Sequence, residues 1–360
     1  MDLEADFAIP PYSLRRDAKR ARLAETLGAI TRHHYEACPE YRRILDAMHF
    51  DPASRSGHED LPVLPVRLFK EYDLRSVDKD AVVKTMTSSG TTGQQVSRIY
   101  LDKTTAAHQT KALSRIVASF LGAKRLPMLI LDTAAVVKNR ATFSARGAGI
   151  LGFSMFSTDR MYALDDNMAL DRAGIEAFLE KHAGSDLFVF GFTSIIWQHF
   201  VKELERTGFR PALSRGTMIH GGGWKKLSDQ AVSAATFKDT LRELCGITRA
   251  HDYYGMVEQT GTIAMECEQG VLHTSIFADV IVRRARDLGV ADVGEPGIIE
   301  VLSVLPGSYP GHVLLTEDEG VLLGEDDCPC GRFGKYFKVS GRIRNAEIRG
   351  CSDTYQARIH

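Results

Sequence analysis

Cysteine and tryptophan are scarce in this chain: six and two, respectively, in 360 residues. Six cysteines in a chain this long do not make a disulfide scaffold. An excess of charge of either sign is also missing. The 45 Lys and Arg stand against 46 Asp and Glu, for a formal net charge of -1. That balance speaks against a broad electrostatic footprint for nucleic acid or anionic lipid and leaves room only for a local basic pocket. No transmembrane segment is expected, since the strongest apolar run, Leu126 to Val137, is interrupted by Asp132 and is too short for a bilayer. The acidic opening Met1-Asp2-Leu3-Glu4 does not read as a secretory leader, so a soluble, reducing, cytoplasmic setting is expected. Internal repeats and low-complexity tracts are not apparent. What is present is ordinary globular material, 44% hydrophobic and 25% charged. A chain of this length supports one large domain plus a smaller lobe and buries roughly three quarters of its extended surface.

Periodicity gives the organisation. Leu14 to Met48 reads as helical, with Leu23, Leu27 and Ile30 at helical spacing and Pro39 marking a break. The prolines of Leu61-Pro62-Val63-Leu64-Pro65-Val66 exclude a regular helix and predict an extended connection, with Leu68-Phe69 as an anchor. From Val82 the texture is α/β. Strands are expected to end at Thr85 to Ser88 and to span Val96 to Leu101, Met128 to Leu131 and Leu187 to Phe190. Helices are expected at Thr104 to Leu121, Ala173 to His182 with Asp171 as cap, Ile195 to Arg206 and Ser228 to Leu244. This alternation predicts a mostly parallel sheet covered by helices. After about Gly270, short apolar runs at Ile276 to Arg283, Gly297 to Leu305, His312 to Thr316 and Gly320 to Leu323 suggest a smaller strand-rich subdomain. The expected segments are 1–80 (helical region and extended connection), 81–270 (α/β core), 271–345 (β-rich subdomain) and 346–360 (tail).

Three polar clusters carry candidate chemistry. Thr87-Ser88-Ser89-Gly90-Thr91-Thr92-Gly93 lies between two expected strands. Its glycines permit tight turns, and its amides and hydroxyls can surround phosphate oxygens. The Gly-Lys-Ser/Thr ending of a Walker loop is absent, and a plain polar turn is the competing reading. His220-Gly221-Gly222-Gly223-Trp224-Lys225 lets a flat ligand approach the backbone beside an indole and an ammonium, or is a flexible loop with a half-buried Trp. The third cluster, His251-Asp252-Tyr253-Tyr254-Gly255-Met256-Val257-Glu258, ends on a carboxylate suited to Mg²⁺ or simply to the surface.

Together these motifs resemble the adenylate-forming superfamily of acyl- and aryl-CoA ligases. Within it, the chain resembles the acyl-protein synthetase family, the long-chain fatty acid–protein ligases of bacterial bioluminescence. The similarity runs from the Leu-Pro-Val-Leu-Pro-Val-Arg-Leu-Phe-Lys segment at 61–70 almost to the C-terminus. It implies an α/β fold of the adenylate-forming large-domain type, layered sheets and helices with a smaller β-rich subdomain, without the usual mobile C-terminal domain. Ser88, Ser89, Gly90, Thr91, Thr92 and Gly93 would then hold the phosphates of ATP, with Gly221, Gly222 and Gly223 bordering the adenine and carboxylate pocket. Tyr254 and Gly255 match the Tyr-Gly-x-Thr-Glu signature, Val257 replaces its threonine, and Glu258 would hold Mg²⁺. Leu314-Leu315-Thr316-Glu317-Asp318 resembles the ribose-binding segment, with Asp318 as ligand and Glu317 as the competing register. Gly341-Arg342 resembles the later Gly-Arg signature, which sets Arg342 against ribose or phosphate. Ile343-Arg344-Asn345 departs from the usual acidic hinge. The catalytic lysine of the missing domain has Lys225, Arg342 and Arg349 as alternatives.

The cysteines divide by context. Cys267, His273, Cys328 and Cys330 make a tetrahedral zinc set in composition, although Cys-x-Cys is tighter than the usual Cys-x₂-Cys knuckle and free core cysteines are the alternative. Similar Glu-Cys and Leu-His runs occur in phenylacetate-CoA ligases. Cys38 and Cys245 read as buried small hydrophobes. Cys351 sits in Arg349-Gly350-Cys351-Ser352-Asp353, where positive neighbours favour a thiolate. The resemblance makes it the acyl acceptor. It implies activation of a fatty acid to an acyl adenylate, a thioester on Cys351 and delivery to an acyl reductase partner. A CoA ligase using free CoA and a non-catalytic nucleotide-binding protein are the alternatives.

Overall fold

The computed structural model describes residues 3–52, 57–88, 96–138, 145–224 and 230–343. Strands are numbered in chain order: β1 Leu64–Pro65, β2 Val82–Thr87, β3 Arg98–Asp102, β4 Leu126–Thr133, β5 Ser157–Leu164, β6 Leu187–Phe192, β7 Gly216–Gly221, β8 Arg249–Tyr254, β9 Ala264–Glu266, β10 Leu272–His273, β11 Ala278–Arg283, β12 Pro296–Ser303, β13 Val313–Glu325 and β14 Lys335–Arg342. The chain separates into two compact units. Among the described residues, the first is built from 3–52, 57–88, 96–119 and 255–343, and the second from 120–138, 145–224 and 230–254. The units cut the chain differently from the four expected segments, because the N-terminal helices and the β2–β3 hairpin join the β-rich part.

In the second unit, β8, β7, β6, β4 and β5 lie side by side in that order, and all four pairings between them are parallel. The sequence predicts this arrangement from alternation. Its strands β6 and β7 are buried along their whole length, as expected for a sheet covered on both faces. Leu129, Leu131, Val189 and Met218 pack with Ile196, Phe200 and Leu204 and with Phe237, Leu241 and Leu244 of the helix Ala234–Cys245. On the opposite face Phe153, from the helix Ala145–Ser154, stacks on Phe190 at 4.5 Å between ring centroids. Asp171 caps the helix Arg172–Lys181, its Oδ1 accepting from the amide of Gly174 at 2.9 Å. The helix expected from Ser228 begins only at Ala234, where the Ser233 hydroxyl accepts from the Thr236 amide. Within the expected helix 195–206, Ile196–Val201 adopts π geometry.

The first unit carries an antiparallel sheet in the order β11-β12-β13-β14-β10-β9. The two runs expected at 312–316 and 320–323 are one long strand, β13, whose pairing shifts register around Glu319 and Gly320. The extended Pro-rich connection adds β1 in parallel to β13, Leu64 opposite Leu314. Phe69 anchors it in a core with Leu74, Ile99, Leu101 and Tyr309. The helix Arg16–Ala37 stops at Cys38, and Pro39 opens the next helix at a position needing no amide donor. Cys38 and Cys245 are buried, as expected. A buried charge cluster ties the helix to the sheet. Nζ of Lys19 is 3.5 Å from Asp279 Oδ1, Nζ of Lys335 is 2.8 Å from Oδ2, and His58 reaches the same carboxylate. Burial works against the charge on Asp279, but Lys335 and Lys19 outweigh it and hold the carboxyl well below its usual range. Among the described residues no helix is long and apolar enough to cross a membrane.

Candidate active site

Glu258 lies in a single 3₁₀ turn, Val257–Gln259, in the first unit and is only 6% exposed. Burial raises its carboxyl above the ordinary value, while a hydrogen bond from the Ser97 side chain, its own amide and the Arg342 guanidinium pull the other way. Its main-chain carbonyl accepts from the Tyr309 hydroxyl at 2.8 Å, and Gln109 Nε2 in turn donates to Tyr309 Oη at 3.4 Å. Val257, in place of the threonine, is half-buried and packs against the core that contains Tyr309.

Ser88 and Ser97 close the neck of the β2–β3 hairpin. The Ser88 amide donates to the Ser97 carbonyl at 3.2 Å, and the Ser97 amide donates to Ser88 Oγ at 3.0 Å. Ser89, Gly90, Thr91, Thr92 and Gly93 of the phosphate loop lie outside the described residues, as do Lys225, Arg344, Arg349 and Cys351.

Register brings a second set together in the same unit. Asp318 on β13 pairs with Arg342 on β14. The guanidinium reaches both acidic neighbours, with Nε 3.6 Å from Asp318 Oδ1 and Nη1 3.9 Å from Glu317 Oε2. Thr316 Oγ1 accepts from the Asp318 amide at 3.1 Å and fixes the turn of the strand there.

In the second unit the predicted glycines and tyrosine fall at the carboxyl ends of parallel strands: Gly221 ends β7, with Gly222 and Gly223 following, and Tyr254 ends β8. Because β5 and β6 flank β4, the sheet reverses its winding there, and ligands of such sheets bind outside carboxyl ends. The glycines are needed for space. A Cβ at Gly221 would lie 2.4 Å from the Tyr253 ring, and Gly222 has φ +75°. Gly255 belongs to the first unit, where a Cβ would meet Ile263 at 2.8 Å. His220 is buried and its Nδ1 is 2.9 Å from Thr193 Oγ1, which also reaches the Gly221 carbonyl at 3.3 Å. Burial, with Lys238 and His251 nearby, lowers the imidazole to about 3, so it is neutral.

The four predicted metal-site residues do converge. The ligand atoms of Cys267, His273, Cys328 and Cys330 all lie within 4.8 Å of one another. Cys267 Sγ is 3.9 Å from Cys328 Sγ, and Cys330 Sγ is 3.4 Å from His273 Nε2. Zinc–ligand bond lengths on a tetrahedron give edges of about 3.8 Å for S···S and about 3.6 Å for S···N. Amides of Gln269 and Arg332 point at the sulfurs of Cys267 and Cys330 from two residues on, at 3.3 and 3.5 Å. Nδ1 of His273 has no hydrogen-bond partner among the described residues, and the ring is held instead by Tyr336 stacked at 5.5 Å and Tyr12 edge-on at 6.3 Å. Burial raises the Cys267 thiol and pushes Cys328 up to about 12.

Sequence reasoning overlooked Ser97, Tyr309 and Gln109. None belongs to a motif, and the only signal was the position of Ser97 near the start of the expected strand Val96 to Leu101, which begins at Arg98. The strands β5, β7 and β8 were also not anticipated, since β5 is polar at its start and β7 and β8 run into the polar motifs at their ends.

Comparison with known proteins follows the same lines. The family model described as Acyl-protein synthetase, LuxE matches residues 4–359. A long-chain-fatty-acid--luciferin-component ligase of Vibrio harveyi is 23% identical over 342 residues, 89% of this chain and 83% of that protein. A phenylacetate-coenzyme A ligase of Thermus thermophilus is 34% identical over 119 residues, 31% of this chain and 25% of that protein. Among solved structures, an open conformation of 2-hydroxyisobutyryl-CoA ligase with 2-HIB-AMP and CoA superposes with TM-score 0.72 at 15% identity, covering 93% of this chain and 77% of that one. The same ligase in its postadenylation state gives 0.70, at 92% and 69% coverage. The fold is therefore that of the adenylate-forming ligases, and the chain belongs to the Acyl-protein synthetase, LuxE family.

Proposed function

We propose that this protein activates a carboxylic acid, a fatty acid, with ATP to an acyl adenylate and then carries the acyl group as a thioester on Cys351. The observation that supports this most is the buried carboxylate of Glu258, in one unit with the Asp318–Arg342 pair and with the Ser88–Ser97 neck that leads into the Ser/Thr/Gly loop. A hard carboxylate oxygen beside a phosphate-binding loop suits Mg²⁺, which commonly takes one or two protein carboxylates and completes its shell with phosphate oxygens and water. When bound, Mg²⁺ would offset charge developing on the phosphates.

In the first step an oxygen of the substrate carboxylate attacks the α-phosphorus of ATP. The new P–O bond forms as the bond to pyrophosphate breaks. Ser88 and the loop residues 89–93 would cradle the phosphates, Asp318 would accept from the ribose hydroxyls, and Arg342 would face ribose or phosphate. Gly221 to Gly223 and Tyr254 would border the base. In the second step the Cys351 thiolate attacks the acyl carbonyl, the C–S bond forms and AMP leaves. Lys225, Arg342 and Arg349 are the cations available to steady the charge on these groups. The thioester would then be handed to a reductase as partner. The cluster of Cys267, His273, Cys328 and Cys330 is proposed to hold structural zinc, whose tetrahedral edges its interatomic distances match.

The decisive experiment incubates the protein with ATP and a labelled fatty acid. Label surviving denaturation on wild type but absent from Cys351→Ala, with AMP released, is the expected result. A product that forms only with free CoA and is insensitive to Cys351→Ala would replace this reading with a CoA ligase. Absence of carboxylate-stimulated ATP–pyrophosphate exchange would leave a non-catalytic nucleotide-binding protein.

A further inference from the structure

We propose that Gln259 and Tyr309 are positioning residues, which clamp the turn carrying Glu258 to the entry of β13 and so hold the cation carboxylate in a fixed relation to the strand that bears Asp318. This rests on the adenylation reading for the roles of Glu258 and Asp318, and otherwise on hydrogen bonds within the first unit.

A 3₁₀ turn of three residues, such as Val257–Gln259, has few bonds of its own to hold it in place. Here two side chains supply the placement, reaching in opposite directions. Tyr309 is fully buried and donates its hydroxyl to the Glu258 carbonyl at 2.8 Å. Gln259, 3% exposed, sends its carboxamide the other way. Its Nε2 lies 2.9 Å from the Gly311 carbonyl, 3.0 Å from that of Val301 and 3.4 Å from that of His312. The two N–H groups of one carboxamide thus serve three carbonyls. These carbonyls mark the junction where β12 ends and β13 begins, since the Ser303 amide donates to the His312 carbonyl at 2.8 Å and Val301 pairs with Leu314. Two bonds running opposite ways between 258–259 and 309–311 fix orientation as well as distance, which a single bond does not.

Close packing leaves the turn no slack. A Cβ on Gly311 would lie 2.8 Å from the Glu258 carbonyl oxygen, and one on Gly261, at φ +96°, would lie 2.7 Å from the main chain of Gln109. Thr262 Oγ1 bridges the Gln259 carbonyl and Ser303 Oγ, 3.1 Å from each. From this junction β13 runs on to Asp318, opposite Arg342. A Mg²⁺-type cation takes only one or two protein carboxylates and fills its shell with phosphate and water oxygens, so its affinity depends on where the carboxylate stands relative to the nucleotide. Groups that support metal ligands commonly account for about 10–100-fold in metal affinity. A clamp on the main chain, one step further from the metal, belongs at the low end of that range.

The test measures, by calorimetry on the full chain, affinity for a non-hydrolysable ATP analogue with and without Mn²⁺; the ratio is the metal-dependent gain. Tyr309→Phe removes only the hydroxyl, and Gln259→Met keeps the side-chain length without its donor. Each should cut the gain about tenfold, while metal-free affinity for the analogue changes by less than about twofold. Glu258→Gln should abolish the gain. Tyr309→Phe decides alone if Gln259→Met fails to fold. An unchanged gain in Tyr309→Phe overturns the proposal even if melting temperature drops, because that pattern is a structural role only. A loss of metal-free affinity as large as the loss of gain also overturns it, since the damage would then be general. So does a gain that survives Glu258→Gln or is absent from wild type. Wild type that shows the gain but no carboxylate-stimulated ATP–pyrophosphate exchange would remove the adenylation reading, while the variants still judge the clamp.

Discussion

Asp318 stands opposite Arg342 across the β13–β14 ladder, and the guanidinium lies nearer to it than to Glu317, 3.6 against 3.9 Å. Glu317, one residue along, is not the cross-strand partner of Arg342, so the two acids are not interchangeable. If Asp318 takes the ribose, Asp318→Asn should raise the dissociation constant for ATP about tenfold, and Glu317→Gln by less than about threefold. Equilibrium dialysis or calorimetry with both variants checks this. The opposite ranking would move the ribose contact to Glu317.

Stoichiometric zinc is expected in protein purified without chelators, and elemental analysis measures it. Cys328→Ser should lose the metal, and both that variant and the chelated wild type should melt lower by about 5 °C or more, because metal binding to a folded site is folding free energy. Substoichiometric zinc with an unchanged melting point after chelation would show that the four residues are simply core.

Acid should destabilise the first unit through two neighbouring buried histidines. His34 and His312 are buried, with ring centroids 5.0 Å apart. Burial holds His34 well below its ordinary value, and burial with His33 nearby takes His312 to about 3. The folded state thus binds fewer protons than the unfolded chain once pH drops below about 6.5. Stability is fully present above that pH and falls as pH approaches 3, at up to about 1.4 kcal/mol per pH unit for each histidine. His220 adds a contribution of the same sign in the second unit. Melting temperature followed from pH 7 to 4 should fall, and His312→Gln should flatten the slope. A slope identical to wild type would assign the acid sensitivity elsewhere.

Arg146 and Asp132 form a buried bidentate pair in the second unit, 1% and 0% exposed, with Arg146 Nε 2.6 Å from Asp132 Oδ2. Removing one partner strands a buried charge. Asp132→Ala should cost about 3–5 kcal/mol, read by denaturant unfolding. The double replacement Asp132→Leu with Arg146→Met should recover much of that loss. A double variant as unstable as the single one would show that the pair contributes more than mutual neutralisation.

Legibility in the sequence followed the range of each interaction. The Asp171 cap, the Pro39 break, the helix through Thr104 to Leu121 and the buried strands Met128 to Leu131 and Leu187 to Phe190 all depend on neighbours within a turn or on local apolar character, and they appear where expected. β5 escaped notice because its first residues, Ser157 to Arg160, are polar. Asp159 there accepts from Lys181 and from His182 on the preceding side of β6, a partnership no local pattern encodes. β7 and β8 were masked by the motifs at their carboxyl ends.

The sequence by itself determined the motif set, the α/β alternation, the family and the composition of the Cys₃His group, because residue identity and short spacing carry that information. Tertiary structure decided which cysteines meet, since Cys267 and Cys328 are 61 residues apart yet 3.9 Å between sulfurs. It decided the pairing of Asp318 with Arg342, which a one-residue slip of β13 would have given to Glu317. It also buried the Glu258 carboxylate and so made it costly to ionise. Strand register and burial are properties of the packed chain, and no window of sequence contains them.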